Sequence, residues 1–317
     1  MAVDRIALET ELAQWLGPAV HLRGAPQRLT GGESAECYRF EIQDQPKDVP
    51  AALVLRLQHD NRAAARECAI QGAVAAVGFA TPPVFRAGQS TSAFGRPFAI
   101  IGFVDGRDPI KDRSLRSIPA ILADTMLRLH RLDPDTARTA LTSAGLAAQD
   151  TGIPAALAEL AASPDAAVAR AAQWLAPRAP HTDQVICHGD LHGFNLLLDQ
   201  GRVRAVLDWE LAALAPREYD VARTETLFAL MPGIGPPLLG GLIRRLGRRA
   251  ARQFVNAYET QVRLDGDTLD FCRAFHALRL IAIARTPSIA PAGVHRLWRS
   301  LDCVLVRRWQ RLTGQPI

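Results

Sequence analysis

The most informative stretch of this chain is HGDLHGFN at residues 188–195, followed by LDW at residues 207–209. It places two carboxylates and one amide, those of Asp190, Asn195 and Asp208, close together in the sequence. In a phosphoryl-transfer site, one acid accepts the proton of the attacking hydroxyl, while an amide and a second acid hold the magnesium ions. The spacing therefore favours the transfer of a phosphoryl group.

The residues between Asn195 and Asp208 predict how these groups meet. Two apolar runs, 196–198 and 203–207, flank a turn at 199–201, which is typical of a β-hairpin. Asn195 lies where the hairpin begins and Asp208 where it ends, so we expect their side chains side by side. Amide and carboxylate oxygens are ligands that a hard cation prefers.

Two other interpretations of these residues stay open. His188, Asp190 and His192 alternate, which is also typical of a zinc or di-metal centre for hydrolysis, although the other histidines are scattered and offer little support for further ligands. Alternatively, an aspartate before an apolar run is often only a turn residue or a helix cap, and one after a strand often only ends it.

The stretch resembles the signature of the aminoglycoside phosphotransferase and choline kinase family, small-molecule kinases that look like protein kinases. That signature is His-Gly-Asp, an Asn five residues after the Asp, and then an apolar-Asp-Trp motif. The resemblance implies an α+β, bilobal protein-kinase-like fold. Its N-terminal lobe would be an antiparallel sheet with one main helix, and its larger C-terminal lobe would be mainly helical.

The resemblance also implies a role for each residue. Asp190 looks like the catalytic base, and Asn195 and Asp208 look like the magnesium ligands. His188 is similar to the histidine that braces the catalytic loop, and Asp220 to the downstream aspartate that anchors it. A carboxylate such as that of Asp220 would also be stabilised simply by standing at the start of a helix.

Chain length and composition agree with two lobes. The 317 residues exceed the usual size of one compact core. Residues from about 20 to 104 are strand-rich with one helix, whereas those after about 107 read as mainly helical, with a helix over 115–132 and a helical insertion over 133–182. We therefore predict a nucleotide-binding lobe at residues 1–104 and a catalytic and substrate-binding lobe at 105–317.

A glycine turn in the first lobe is a candidate phosphate site. Gly31, Gly32 and Ser34 lie between two predicted strands, and such a turn can lay backbone N–H groups over ATP phosphates. The turn is similar to the Gly-Gly-x-Ser turn of the family but lacks the full Gly-x-Gly-x-x-Gly pattern of protein kinases. Two adjacent glycines also form ordinary hairpins.

Arg56 is the candidate ligand of the ATP phosphates. It ends the apolar strand 51–57, where kinases hold a lysine, and a guanidinium makes the same charge-assisted contacts with a different reach. Glu67 lies on the inward stripe of the helix that follows, and a buried carboxylate needs a partner, so we predict an ion pair with Arg56. Arg66 should face solvent. Without these contacts, Arg56 would be a solvated residue at the end of a strand.

The apolar strand 97–104 is the candidate link between the lobes. It breaks at Asp105 and Gly106, as expected where adenine stacks on aliphatic side chains. We predict that adenine hydrogen-bonds to the backbone of about Ile101 to Phe103. An ordinary buried strand would have the same sequence pattern.

The charge of the last third bears on the acceptor. Residues 221–317 carry fifteen arginines against six acidic residues, a net charge of +9, compared with +5 for the whole chain. Such a field repels a polycationic aminoglycoside, so a typical antibiotic acceptor is not expected. The arginines can also form a solvated helical face. They lack interleaved aromatic residues, so no nucleic-acid partner is expected.

Together these features predict a kinase that moves the γ-phosphoryl group of ATP, or of GTP, with Mg²⁺ to a hydroxyl of a small molecule. Gly189 stands where protein kinases place an arginine that senses phosphorylation, so we predict constitutive activity. The alternative is a catalytically silent nucleotide-binding regulator, which would usually have lost the base or a metal ligand.

Hydropathy and cysteine spacing bear on the location of the protein. No apolar run reaches the eighteen residues of a membrane span, and the first residues lack the apolar core of a signal peptide. The five cysteines never form Cys-x-x-Cys, which suits reduced thiols. We expect a cytoplasmic monomer or homodimer with no membrane partner.

Overall fold

The computed structural model describes residues 3–29, 35–43, 46–90, 92–148, 151–230, 240–289 and 292–317. The predicted turn residues Gly31, Gly32 and Ser34 lie outside this range. Within it, the chain divides into a sheet lobe, from the first helix to the sixth strand, and a helical lobe that holds the rest.

An antiparallel sheet forms the centre of the sheet lobe. The strand order is β1-β3-β4-β6-β5, and β2 also pairs with β3. The strands are β1 (His21–Leu22), β2 (Gln27–Arg28), β3 (Glu36–Gln43), β4 (Ala52–Leu57), β5 (Val84–Gly88) and β6 (Phe98–Gly102). Because side chains alternate along a strand, one face of this sheet is apolar and the opposite face carries Val54 and Arg56 of β4 toward the other lobe.

The apolar face is covered by a helix that the sequence did not predict. Helix α1 (Arg5–Leu16) buries Leu8 and Leu12 against β3, β4 and β6. Its buried stripe also contains Glu11, which interrupts the apolar period from which a helix is recognised. The Glu11 carboxylate binds Arg86 of β5 at 3.2 Å and accepts the backbone N–H of Ala93 at 2.9 Å, so its burial is compensated.

Helix α2 (Asn61–Ala76) confirms the predicted main helix. Asp60 caps it by accepting the backbone N–H of Ala63 at 2.6 Å, and Glu67 and Ile70 lie on its buried stripe as predicted. The prediction for Arg66 was wrong. Its guanidinium is half-buried and donates to the carbonyl oxygen of Glu210 at 2.7 Å, because a loop of the helical lobe covers that flank of the helix.

The helical lobe confirms the helices predicted over 115–132 and 133–182. Its helices are α3 (Ile118–His130), α4 (Pro134–Ser143), α5 (Gly152–Ala161), α6 (Ala166–Leu175), α7 (Arg217–Leu230), α8 (Gly240–Glu259), α9 (Gly266–Arg285), α10 (Ala292–Arg299) and α11 (Asp302–Thr313). Two small antiparallel pairs lie among them: β7 (Val185–Cys187) with β10 (Ala213–Ala215), and β8 (Leu196–Asp199) with β9 (Arg202–Val206). The α+β bilobal fold is as predicted.

The predicted boundary at residues 104 and 105 falls in the segment after β6, and it stays a prediction. Across the part of the chain that the structure describes, no helix is both long and apolar enough to cross a membrane.

Trp209 joins the two lobes. Its indole N–H donates to the Thr81 hydroxyl at 2.9 Å, and that hydroxyl donates to the carbonyl oxygen of Val206 at 2.9 Å. The Trp209 ring is fully buried and meets Phe79 edge to face, with ring centroids 5.8 Å apart. The segment between α2 and β5 is therefore fixed to the end of the β8–β9 hairpin.

We expect Trp209→Ala to lower the free energy of unfolding by about 3–5 kcal/mol, the range for truncating a buried aromatic side chain. The change leaves a cavity at the lobe junction and removes the donor to Thr81. Urea unfolding followed by circular dichroism measures the loss. Phe194→Ala is the matched control: Phe194 is 56% exposed, so its truncation should change stability by no more than about 0.5 kcal/mol. Equal stability of the two variants would contradict this role of Trp209.

Candidate active site

The loop of residues 188–192, the candidate catalytic loop, is held by a buried carboxylate. Strand β7 delivers the chain to residues 188–192, and Asp220 lies opposite, in the first turn of α7. Its two carboxylate oxygens accept the backbone N–H of His188 at 2.8 Å and of Gly189 at 2.6 Å. The His130 imidazole lies 3.2 Å from the same carboxylate and contacts the Tyr258 hydroxyl at 2.8 Å. Asp220 thus makes the contact predicted of a loop anchor.

Gly189 gives the loop its turn. Its φ of +81° lies in the left-handed region that favours glycine. A Cβ atom at this position would lie 2.1 Å from the carbonyl oxygen of Leu211, a backbone atom that cannot move aside alone. The loop conformation therefore excludes a side chain where protein kinases carry an arginine.

His188 braces the loop with both ring nitrogens. Nδ1 accepts the backbone N–H of Asp190 at 3.2 Å, and Nε2 lies 2.9 Å from the carbonyl oxygen of Leu207, to which it donates in the neutral tautomer. Burial lowers the pKa of His188 although three carboxylates lie near it, so the ring is neutral. Neither nitrogen is free to bind a metal, which argues against the metallohydrolase interpretation.

Asp190 presents a partly buried carboxylate to the cleft. Its Oδ1 accepts from Arg223 Nε at 2.9 Å and lies 2.8 Å from Arg223 Nη2, and its Oδ2 lies 3.6 Å from His192 Nε2. Burial would raise the pKa of Asp190, but Arg223 and His192 outweigh it and hold the pKa well below its usual range. Asp190 is therefore ionised at neutral pH, with Oδ2 the less occupied oxygen.

Arg223 is the site residue that the sequence analysis missed. It lies three residues after Asp220 in α7, so both side chains leave the helix on the same side. That spacing was a usable signal: a residue on the face that anchors the loop must also face the loop. The signal was hidden because the many arginines of this region were treated together as a charged field.

Asn195 and Asp208 lie side by side, as the hairpin predicted. Leu196 pairs with Val206, and the backbone N–H of Leu207 donates to the carbonyl oxygen of Asn195 at 2.9 Å. The Asn195 amide donates through Nδ2 to the carbonyl oxygen of Asp190 at 3.0 Å, which leaves its Oδ1 available. Asp208 has a φ of +64°, which aspartate tolerates better than most residues, and it is about one third exposed.

Arg56 and Glu67 form the predicted ion pair. The distance from Arg56 Nη2 to Glu67 Oε1 is 2.9 Å, and both side chains are buried. Gln58 donates to the other oxygen of Glu67. Burial raises the pKa of Glu67 to about 7, against the opposing effect of Arg56. Arg56 Nη2 also lies 3.4 Å from Asp208 Oδ1, so this guanidinium connects the two lobes at the site.

Strand β6 and the residue after it offer apolar side chains for adenine, but two of their backbone N–H groups are already bonded. The Ile101 side chain lies in an apolar cluster with Val54, and Phe103 packs beside it. However, the backbone N–H of Gly102 donates to the carbonyl oxygen of Pro83 at 2.9 Å, and that of Phe103 to Ala52 at 3.2 Å. The sheet therefore uses the N–H groups of Gly102 and Phe103, and these two groups are not available to adenine. Among the described residues, the backbone N–H groups of 104–106 carry no hydrogen bond.

Comparison with known proteins identifies a family and a curated relative. The model of the phosphotransferase enzyme family (APH) matches residues 26–258, more than half of the chain. Among curated proteins, Acyl-CoA dehydrogenase family member 10 of Mus musculus is 27% identical over 89% of this chain. The chain spans only 28% of the length of that relative.

Solved structures share the fold. One is a thermostable mutant of aminoglycoside phosphotransferase APH(4)-Ia in a ternary complex with ADP and hygromycin B, with a TM-score of 0.61, 17% identity, and coverage of 95% of this chain and 98% of that chain. Another is macrolide 2'-phosphotransferase type I, with a TM-score of 0.56, 15% identity, and coverage of 96% and 98%. These likenesses confirm the predicted bilobal architecture.

We expect Gly189→Ala to destabilise the protein by roughly 1–3 kcal/mol, the cost of a strained backbone position, because the new Cβ meets Leu211. Thermal unfolding measures this change. Gly241→Ala is the matched control, since Gly241 lies in α8 with nothing within 4 Å of an added Cβ, and its replacement should leave stability unchanged or slightly higher. A Gly189 variant as stable as the Gly241 variant would contradict the close approach to Leu211.

We expect Arg223→Gln to raise the pKa of Asp190 toward the ordinary value of about 3.9, because the guanidinium that favours the ionised form is lost. A ¹³C-NMR titration of the Asp190 carboxyl group follows the change. Arg273→Gln is the control, since Arg273 binds Glu225 at 2.7 Å rather than Asp190. An equal upward shift in both variants would show that general field effects, and not the Arg223 contact, set this pKa.

Proposed function

Since this chain belongs to the phosphotransferase enzyme family, we propose that it moves the γ-phosphoryl group of ATP, or of GTP, to a hydroxyl of a small molecule. The observation that carries the proposal is the convergence of Asp190, Asn195, Asp208 and Arg56 between the two lobes. The residues are linked in series: Asn195 binds the backbone of Asp190, the hairpin pairs Asn195 with Leu207 next to Asp208, and Asp208 lies 3.4 Å from Arg56.

In the proposed reaction, Asp190 orients the attacking hydroxyl through Oδ2, because Arg223 occupies Oδ1. The hydroxyl oxygen forms a bond to the γ-phosphorus while the bond between that phosphorus and the bridging oxygen breaks, and ADP leaves with the bond electrons. The hydroxyl proton passes to Asp190 and then to solvent. A carboxylate with so low a pKa is a weak base, which suits a loose transition state in which the proton leaves late.

The residues around Asp208 fit magnesium. Asn195 Oδ1 and the Asp208 carboxylate are oxygen donors on adjacent strand ends, and such oxygens are the ligands that Mg²⁺ takes in proteins. Magnesium bound there would neutralise charge on the phosphates. The side chains themselves are already fixed, Asn195 by the backbone of Asp190 and Asp208 by Arg56.

The nucleotide is proposed to lie between the sheet lobe and the β8–β9 hairpin. Arg56, steadied by Glu67, would bind the phosphates, and Gly31, Gly32 and Ser34 would cover them. Adenine would lie on Val54, Ile101 and Phe103. We move its hydrogen bonds from the backbone of 101–103 to that of 104–106, where the N–H groups are available.

Leu197 is proposed to form the floor of the adenine pocket. It is half-buried, and a Cβ added to Gly106 would lie 2.8 Å from Leu197 Cβ. The segment 104–106 therefore passes directly beside Leu197. Glycine at 106 permits this close approach.

The relatives support nucleotide use without fixing the acceptor. The APH(4)-Ia structure holds ADP and hygromycin B, which supports nucleotide binding in this fold. The name of the mouse relative describes a protein of which this chain spans 28%, so we propose no dehydrogenase activity for the chain. The acceptor classes kept open are a sugar, an amino alcohol, a macrolide or another hydroxylated compound.

The ionisation of Asp190 and the hydrogen bonds of His188 favour the proposal over its alternatives. A silent regulator would not need Asp190 kept ionised beside two candidate metal ligands. A hydrolase using His188, Asp190 and His192 would need a His188 nitrogen that is already bonded within the loop. A cytoplasmic location, a monomer or homodimer, and the absence of a nucleic-acid partner stay predictions.

We expect Asp190→Asn to reduce phosphoryl transfer by roughly 10²–10⁴-fold, the contribution of a positioned acid–base group, while Mg²⁺–ATP still binds. Transfer of label from γ-labelled ATP to a library of hydroxyl compounds measures activity, and isothermal titration calorimetry measures nucleotide binding. Asp199→Asn is the control, because Asp199 is the exposed last residue of β8 in the same hairpin. Wild-type turnover in the Asp190 variant would falsify the assignment of the base.

A further inference from the structure

The helices next to the catalytic loop gather positive charge around the place where an acceptor must lie. Four guanidinium groups come from α7, α9 and α11: Arg223, Arg273, Arg279 and Arg308. Arg223 binds Asp190, and Arg273 binds both oxygens of Glu225 at 2.7 and 2.8 Å. The carboxylates of this cluster are therefore largely occupied by two of the four arginines.

The remaining two arginines are poorly neutralised. Among the described residues, Arg279 has no carboxylate within ion-pair distance: it donates to the Tyr219 hydroxyl at 3.2 Å and lies 5.8 Å from the centre of the Phe275 ring, and neither contact carries a negative charge. Arg308 reaches Glu225 at 3.9 Å, the same carboxylate that Arg273 already occupies. A half-buried guanidinium without a counterion is costly, because it has lost part of its hydration. Arg279 is thus a ready partner for an anion.

Arg279 is connected to Arg223 through Tyr219. Tyr219, to which it donates, precedes Arg223 by one turn of α7, a rise of about 5–6 Å along the helix. His276 also packs on Tyr219, with ring centroids 4.8 Å apart and Nε2 2.8 Å from the carbonyl oxygen of Tyr219. Arg279 and Asp190 thus both contact α7, Arg279 through Tyr219 and Asp190 through Arg223, one helical turn apart, and an extended acceptor can span the two.

His276 supplies an independent observation. Its side chain is fully buried, yet Nδ1 has no hydrogen-bond partner among the described residues. Burial, Arg223 and Arg279 lower the pKa of His276 well below its usual value, so the ring is neutral and adds no charge of its own. With Nε2 donating to Tyr219, Nδ1 is a buried acceptor, and the neutral ring leaves the positive charge of Arg279 uncompensated.

We infer that the acceptor carries an anionic group, a carboxylate or a phosphate, which binds at Arg279 while its hydroxyl meets Asp190. The inference rests on the proposed function, and it names the class of substrate for that same site. It also separates this chain from enzymes that phosphorylate polycations, since a cationic acceptor would meet an unneutralised arginine.

Matched acceptors test the inference in a γ-labelled ATP assay: hydroxy acids against their amides, sugar phosphates against the free sugars, and hygromycin B as the polycation. We expect the anionic member of a pair to be used with a kcat/KM roughly 10- to 100-fold higher, the value of a hydrogen bond to a charged group. Arg279→Gln should remove this preference by raising KM for the anionic acceptor, with KM for ATP unchanged. Arg279→Lys should restore part of it.

Arg249→Gln is the control, because Arg249 is exposed on α8 and should not affect the preference. Phosphorylation of neutral or cationic acceptors as fast as anionic ones would overturn the inference and leave the proposed function standing. Loss of the preference in the Arg249 variant as well would also overturn it, since a general field would then be the cause.

A second measurement does not depend on transfer. Inorganic phosphate is added to the protein saturated with Mg²⁺ and ADP, and thermal unfolding is followed. Stabilisation of the wild type but not of Arg279→Gln, without transfer to any acceptor, would support the anion site while the proposed function fails. Absence of both transfer and stabilisation would overturn the inference, and nucleotide binding by each variant shows that it has folded.

Discussion

The buried carboxylate of Asp220 is the contact on which the rest of the site depends. It holds the backbone N–H groups of His188 and Gly189 together with the His130 imidazole, so α3, α7 and the end of β7 meet at one side chain. A carboxylate without exposure to water is tolerated only when donors compensate its lost hydration. Because two of those donors belong to the catalytic loop, the loop must adopt the turn that Gly189 alone allows, and this turn aims Asp190 into the cleft.

Acidic and basic side chains are paired on both sides of the cleft that Asp190 faces. Arg223 neutralises Asp190 on the helical side, while Arg56 on the sheet side is shared by Glu67 and Asp208. Each acid therefore keeps an arginine partner before any nucleotide binds, and the two lobes are connected by an ion pair at the site and by Trp209 behind it. Such paired, buried charges are sensitive to the loss of one member, because the other is left without compensation. In the proposed reaction the phosphates would join this series beside Arg56.

Several parts of the site could be predicted because they follow from local geometry. The β8–β9 hairpin sets Asn195 beside Asp208 through backbone pairing, and the strand and helix periods turn Arg56 and Glu67 toward one another. Arg66, Arg223 and α1 were missed for a common reason. Each depends on a partner that is distant in the sequence. Arg66 is covered by Glu210 of the other lobe, and Arg223 differs from the other arginines of its region by its contact with Asp190. The burial of Glu11 in α1 depends on Arg86, some 75 residues away.

The amino-acid order alone sets which chemical groups are present, where they stand in the chain, and the short-range turns that bring Asn195 beside Asp208. Only the tertiary structure decided how those groups behave: that Asp190 stays ionised beside Arg223, that His188 has both nitrogens engaged, that β6 uses its N–H groups in the sheet, and that Arg279 keeps no counterion among the described residues. The difference arises from how far apart in the sequence the interacting residues lie. Backbone geometry is fixed by neighbours along the chain, whereas burial, counterions and hydrogen-bond partners come from residues that packing brings together across long separations.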